Sequence, residues 1–118
     1  MNALAFSLFP LCAFLSQGPS ETERVLRLVA DRVLAEASYQ FDDRNSGKRY
    51  PATTLAPVGA DLKIASPSND WRYWNGVLDI AMTGVGEALQ DSACIAYTPG
   101  HVSFVFDNVR YFQQRHAG

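Results

Sequence analysis

Apolar residues recur at helical spacing in three stretches of this chain, and each stretch has its own start signal. The first carries Val25, Leu26, Val29, Val33, Leu34 and Ala37 on one face, with Arg24, Arg27, Asp31, Arg32 and Glu36 on the other. Ser20-Glu21-Thr22-Glu23 precedes it in the form of a capping box, which predicts a helix over 20–39. The second stripe is Val77, Leu78, Ala81, Met82, Val85, Ala88 and Leu89. It predicts a helix that starts near Tyr73 to Gly76 and runs to about Leu89. Gly84 and Gly86 each lower its helix propensity by about 1 kcal/mol relative to Ala, and their small size lets another helix approach closely. The third stripe is Val102, Val105, Phe106, Val109 and Phe112. Thr98-Pro99 before it reads as an N-cap with proline at the first helical position, which predicts a helix over 99–115. Val102 to Phe106 is also β-prone, so a strand there is the alternative.

Between the first two helices, 41–70 follows neither period and holds Pro51, Pro57, Pro67, Gly47 and Gly59. It predicts a long irregular loop, a feature that is often functional. Asp42 to Gly47 has turn composition. Its Asp43-x-Asn45-x-Gly47 spacing also resembles part of a calcium loop, but Thr54 falls near the place of the bidentate Glu. A turn is the expectation. The fold class that follows is all-α, with about three helices and a long loop between the first two.

Ahead of the first helix, Ala3 to Leu15 is an apolar run of 13 residues, ended by the break Gln17-Gly18-Pro19-Ser20. A membrane-spanning helix needs about 20 such residues. The length suits a secretory signal peptide, although no Lys or Arg precedes the run. Residues 1–18 therefore read as a signal peptide or as an apolar segment packed on the domain, and 19–118 as the helical domain. The first reading implies a secreted or periplasmic protein.

At 118 residues the chain is one small domain, and ten basic against twelve acidic residues give a net charge of -2. That balance offers no basic patch for nucleic acid. Cys12 and Cys94 are not expected to pair, and Cys94 reads as a small buried hydrophobe. The cysteines and histidines lack metal-ligand spacing, and no phosphate loop, nucleophile elbow or other cofactor motif is present. No metal and no cofactor are expected. His101 and His116 read as surface residues. Asp70 reads as the cap of the second helix and Asp79 as a solvated residue on its polar face. No two carboxylates pair across a pocket as glycosidic chemistry requires, so no catalytic residue is assigned.

Trp71-Arg72-Tyr73-Trp74-Asn75 is the best binding candidate. Sugar rings present flat C–H faces that stack on aromatic rings, while Arg, Tyr and Asn hydrogen-bond hydroxyls or a carboxylate. The bland alternative is that these aromatics wedge the start of the helix against the core.

The segment Asn69-Asp70-Trp71-Arg72-Tyr73-Trp74-Asn75-Gly76-Val77-Leu78, followed by Gly86-Glu87-Ala88-Leu89-Gln90-Asp91, Tyr97, Phe106-Asp107-Asn108 and Tyr111-Phe112, resembles the six-hairpin glycosidases. Within that superfamily it is most similar to the unsaturated rhamnogalacturonyl and glucuronyl hydrolases of glycoside hydrolase families 105 and 88. The resemblance covers 66–112, a little under half of the chain. It implies the first hairpins of an (α/α)6 barrel and an oligosaccharide ending in an unsaturated uronic acid. The implied reaction is hydration of the vinyl ether, without a cofactor. By the same resemblance Tyr73 and Trp74 line the sugar site and Trp71 supports them. The family's catalytic Asp residues lie on later helices, and no position here matches them. The expectation is thus an N-terminal portion that is inactive alone, with exposed apolar helix faces that favour self-association. The alternative is a small helical interaction or sugar-binding module without catalysis.

Overall fold

A computed structural model describes residues 18–117. The apolar segment read as a signal peptide, and Cys12 with it, lies outside the described residues. The fold is mixed rather than all-α. Among the described residues it has four α-helices, not three, and a three-stranded antiparallel sheet. The helices are α1 (Glu21–Glu36), α2 (Tyr73–Leu89), α3 (Ser92–Asp107) and α4 (Val109–His116). The strands are β1 (Phe41–Asp43), β2 (Arg49–Tyr50) and β3 (Leu62–Ile64), in the order β2-β1-β3.

The sheet occupies the stretch expected to be irregular. Phe41 pairs with Tyr50 on one side and Ile64 on the other. Asp42-Asp43 would not be chosen for a strand on propensity, but Asp43 organises the hairpin. Its Oδ2 accepts from the Ser46 hydroxyl at 2.6 Å, and its Oδ1 accepts from the Asn45 and Asp61 N–H groups at 3.1 and 3.0 Å. These bonds, led by the one from Ser46, hold the Asp43 carboxyl below its ordinary pKa. The expected turn is therefore present, with Gly47 at φ +71°, and the carboxylate is occupied by the protein's own donors.

The expected helix over 99–115 is two elements. α3 starts seven residues before Pro99, at Ser92, because the Asp91 side chain caps it by accepting from the Ala93 and Cys94 N–H groups at 2.9 and 3.2 Å. Pro99 sits inside α3 rather than at its start. The Thr98 hydroxyl does not cap. It donates across to the Asp79 backbone carbonyl at 2.8 Å, which ties α3 to α2. Asn108 ends α3. Its amide donates to the Phe104 carbonyl at 2.9 Å, and its Oδ1 accepts the Thr53 N–H at 2.9 Å from the single helical turn Thr53–Leu55.

α1 and α2 form close to their expected limits. The Ser20 hydroxyl accepts from the Glu23 N–H at 3.2 Å, and α1 stops at Glu36 rather than 39. Only the later part of the α1 stripe packs, and Val25 and Val29 remain exposed. α2 ends at Gln90, a non-glycine residue in the left-handed region at φ 52°. The core has two parts, one against the first half of α3 and one against its second half. Ala30, Met82, Cys94 and Tyr97 join α1, α2 and α3. Phe41, Phe104, Val105 and Phe112 join the sheet to α3 and α4. Tyr39 bridges them, with its ring 6.5 Å from Tyr97 and 6.0 Å from Phe104. Cys94 is fully buried, as expected, and burial pushes its thiol pKa up.

Candidate functional site

The segment between β3 and α2 is shaped by two asparagines. Pro67–Asn69 forms one tight helical turn. Asn69 is buried, and its Oδ1 accepts the Ser38 N–H at 2.7 Å, which fastens the turn to the end of α1. Asn75, buried in the first turn of α2, donates to the carbonyls of Pro67 and Asp70 at 2.9 and 2.8 Å. The four residues between Asp70 and Asn75 are thereby held outward. Trp71, Tyr73 and Trp74 are 51%, 87% and 61% exposed. Tyr73 and Trp74 do not wedge the helix against the core, whereas the half-buried Trp71 has its ring 6.4 Å from that of the buried His101.

Asp70 is not the cap of α2. That place is taken by Arg72, which makes no side-chain cap bond. Asp70 is buried, and basic side chains converge on it. Arg72 Nε lies 2.7 Å from its Oδ2, Arg115 of α4 lies 3.3 Å from the same oxygen, and His116 Nε2 lies 3.6 Å from Oδ1. The Trp71 N–H also donates to Oδ1 at 2.8 Å. Burial pushes the Asp70 pKa up, but the bond from Arg72, the Arg115 charge and the Trp71 N–H outweigh it and leave the carboxyl below its ordinary value.

Asp70 forms the floor of a cup of about 310 Å³ lined by Arg44, Lys63, Ile64, Pro67, Arg72, Trp74 and Arg115. Four cations therefore face one carboxylate. Arg44 is shared with Asp61 at 3.4 Å, but Asp61 does not line the cup. The Arg72 guanidinium sits 5.4 Å from the Trp74 ring centroid, within cation–π range. An adjoining cleft of about 400 Å³ is lined by Trp71, Arg72, Tyr73, Trp74, Arg115 and His116. The three aromatic residues singled out in the sequence thus share one surface. Their basic neighbours Arg44, Lys63 and Arg115 come from the β1–β2 turn, from β3 and from α4. Nothing in the local sequence pattern marks those three, because only the tertiary fold brings them to the loop.

Two further residues differ from expectation. Asp79 is not solvated and His101 is not on the surface, for they are 7% and 1% exposed and face each other between α2 and α3. His101 Nδ1 lies 3.0 and 2.9 Å from the two Asp79 carboxylate oxygens. Tyr39 and Tyr97 lie around this pair. Burial raises the pKa of both phenols, and the Asp79 charge adds to it. Tyr97 is pushed up to about 12.

No family model matches the chain, and no curated protein and no solved structure is significantly similar to it. No helix among the described residues is long and apolar enough to cross a membrane.

Proposed function

We propose that this chain binds the uronic-acid end of an oligosaccharide, as the N-terminal portion of a glycoside hydrolase acting on unsaturated uronyl groups. The observation that carries this reading is the surplus of positive charge in the cup beside exposed aromatic rings. A sugar carboxylate is planar and takes paired N–H donors from a guanidinium. The sugar ring stacks on Trp74 or Trp71. In this reading Arg72 and Arg115 receive the carboxylate, while Trp71, Tyr73 and Trp74 receive the ring. In this reading the chain alone does not hydrolyse: among the described residues Asp70 is the one carboxylate lining the cup, and Arg72, Arg115 and the Trp71 N–H hold it below its ordinary pKa, which disfavours proton donation to a vinyl ether. A sugar-binding module without catalysis is the second reading, and it is favoured by exposed aromatic rings beside a cup whose lining holds a single carboxylate among the described residues.

The test is a tryptophan-fluorescence titration of the purified chain with a Δ4,5-unsaturated digalacturonate, with the absorbance of the double bond followed in parallel. Saturable quenching is expected, weakened about tenfold or more in Arg115→Ala and in Arg72→Ala, roughly the loss of one charge-assisted hydrogen bond. Absorbance should persist. Quenching that is equal in the variants rejects the cup as the site. Disappearance of the chromophore rejects the non-catalytic role.

A further inference from the structure

The cup makes no use of the Asp79–His101 pair. A carboxylate against Nδ1 favours the tautomer that carries the ring proton there, and in that tautomer the lone pair lies on Nε2. That Nε2 is buried and has no hydrogen-bond partner. A buried acceptor without a donor is costly and rare, so it calls for a physical account. Asn69 Nδ2, two residues before Trp71, is the other such side-chain atom among the described residues, and it is a donor. An unpartnered acceptor complements the O–H of a hydroxyl group.

Trp71 relates this pair to the cleft. Its ring centroid lies 6.4 Å from that of His101, tilted by 55°. It also lines the aromatic cleft on one side and an apolar groove of about 550 Å³ with Val105, Phe106 and Phe112 on the other. His101 precedes Val105 by one helical turn on α3; it lines neither cavity itself, and Trp71, which lines both, is the ring beside it. Trp71 is half exposed, and side chains of that kind change rotamer on the picosecond to nanosecond scale.

We propose that Asp79 and His101 form a concealed sugar-hydroxyl site. When the Trp71 indole turns out to stack on a bound sugar ring, His101 Nε2 accepts a hydrogen bond from a ring hydroxyl, and Asp79 fixes the tautomer that makes this acceptance available. The ligand class rests on the uronate reading above.

The test uses the full chain labelled with ¹⁵N at histidine and titrated with galacturonate as the probe. Tryptophan fluorescence reports binding, and the His101 Nε2 resonance reports its hydrogen-bond partner. The expected result is saturable quenching, with the Nε2 resonance moving from the free-acceptor position toward the hydrogen-bonded one over the same concentrations. His101→Gln should weaken binding several-fold without removing it, because the cup remains. Quenching with a stationary Nε2 overturns this inference and leaves the uronate reading intact. An Nε2 already hydrogen-bonded in the ligand-free chain also overturns it. Absence of quenching sinks both readings.

Discussion

Burial opposes the charge on Asp70, yet Arg72, Arg115 and the Trp71 N–H keep it ionised below its ordinary range. The folded pKa is lower than the unfolded one, so the stabilisation is complete above the unfolded value. It is lost as pH falls through the folded value. Urea unfolding measured from about pH 5 down to about pH 2 should show this loss in the native chain and a shallower loss in Asp70→Asn. Parallel curves would remove Asp70 from the account, and Asp43, whose carboxyl is also held low, would carry the remaining acid dependence. The sequence suggested a cap for Asp70 because it lies just ahead of α2. It hid the partner on α4, since Arg115 is brought there only by folding. Asp79 and His101 were misread for a related reason. A helical wheel gives Asp79 a polar side, but α3 packs on that side and supplies the one imidazole that makes burial tolerable.

Two glycines of α2 sit in opposite environments. A Cβ on Gly86 would lie 2.7 Å from Ile95 Cγ1 and 2.8 Å from the Ile95 backbone nitrogen, whereas one on Gly84 meets nothing within 4 Å. Gly86 therefore permits the close α2–α3 turn. Gly86→Ala should destabilise by about 1–3 kcal/mol through overpacking. Gly84→Ala should stabilise by about 0.5–1 kcal/mol through helix propensity. Thermal or urea unfolding of the two variants checks the contrast, and shifts of the same sign would contradict it. At this scale α1 and α2 were legible because each has a long apolar period and a clear beginning. The sheet was not, because strands of two or three residues are too short to display alternation. The start of α3 was hidden by Pro99. Proline at a first turn is the common case, but the Asp91 cap and the burial of Cys94 and Tyr97 outweigh the bond that Pro99 cannot make.

Across the whole molecule, apolar surface is left over. Tyr73, Val77 and Ile80 are 87%, 50% and 76% exposed along one side of α2, and Leu28 and Phe106 are 72% and 68% exposed elsewhere. A helix apolar on both faces belongs between two layers, and among the described residues α2 has one layer, formed by α1 and α3. That remainder is apolar surface that the described residues do not cover. It leads us to expect concentration-dependent self-association, weakened by Ile80→Glu and measured by sedimentation velocity. Unchanged sedimentation of the native chain over a hundredfold range of concentration would contradict this expectation. Charge selectivity tests the central claim more directly than any of these. Isothermal titration of the chain with galacturonate and with its neutral methyl ester compares one ring with and without the charge. The account predicts that galacturonate binds about tenfold or more tightly and weakens with salt, as charge-assisted contacts to Arg72 and Arg115 require. Equal affinity for the two sugars, or none for either, would contradict it.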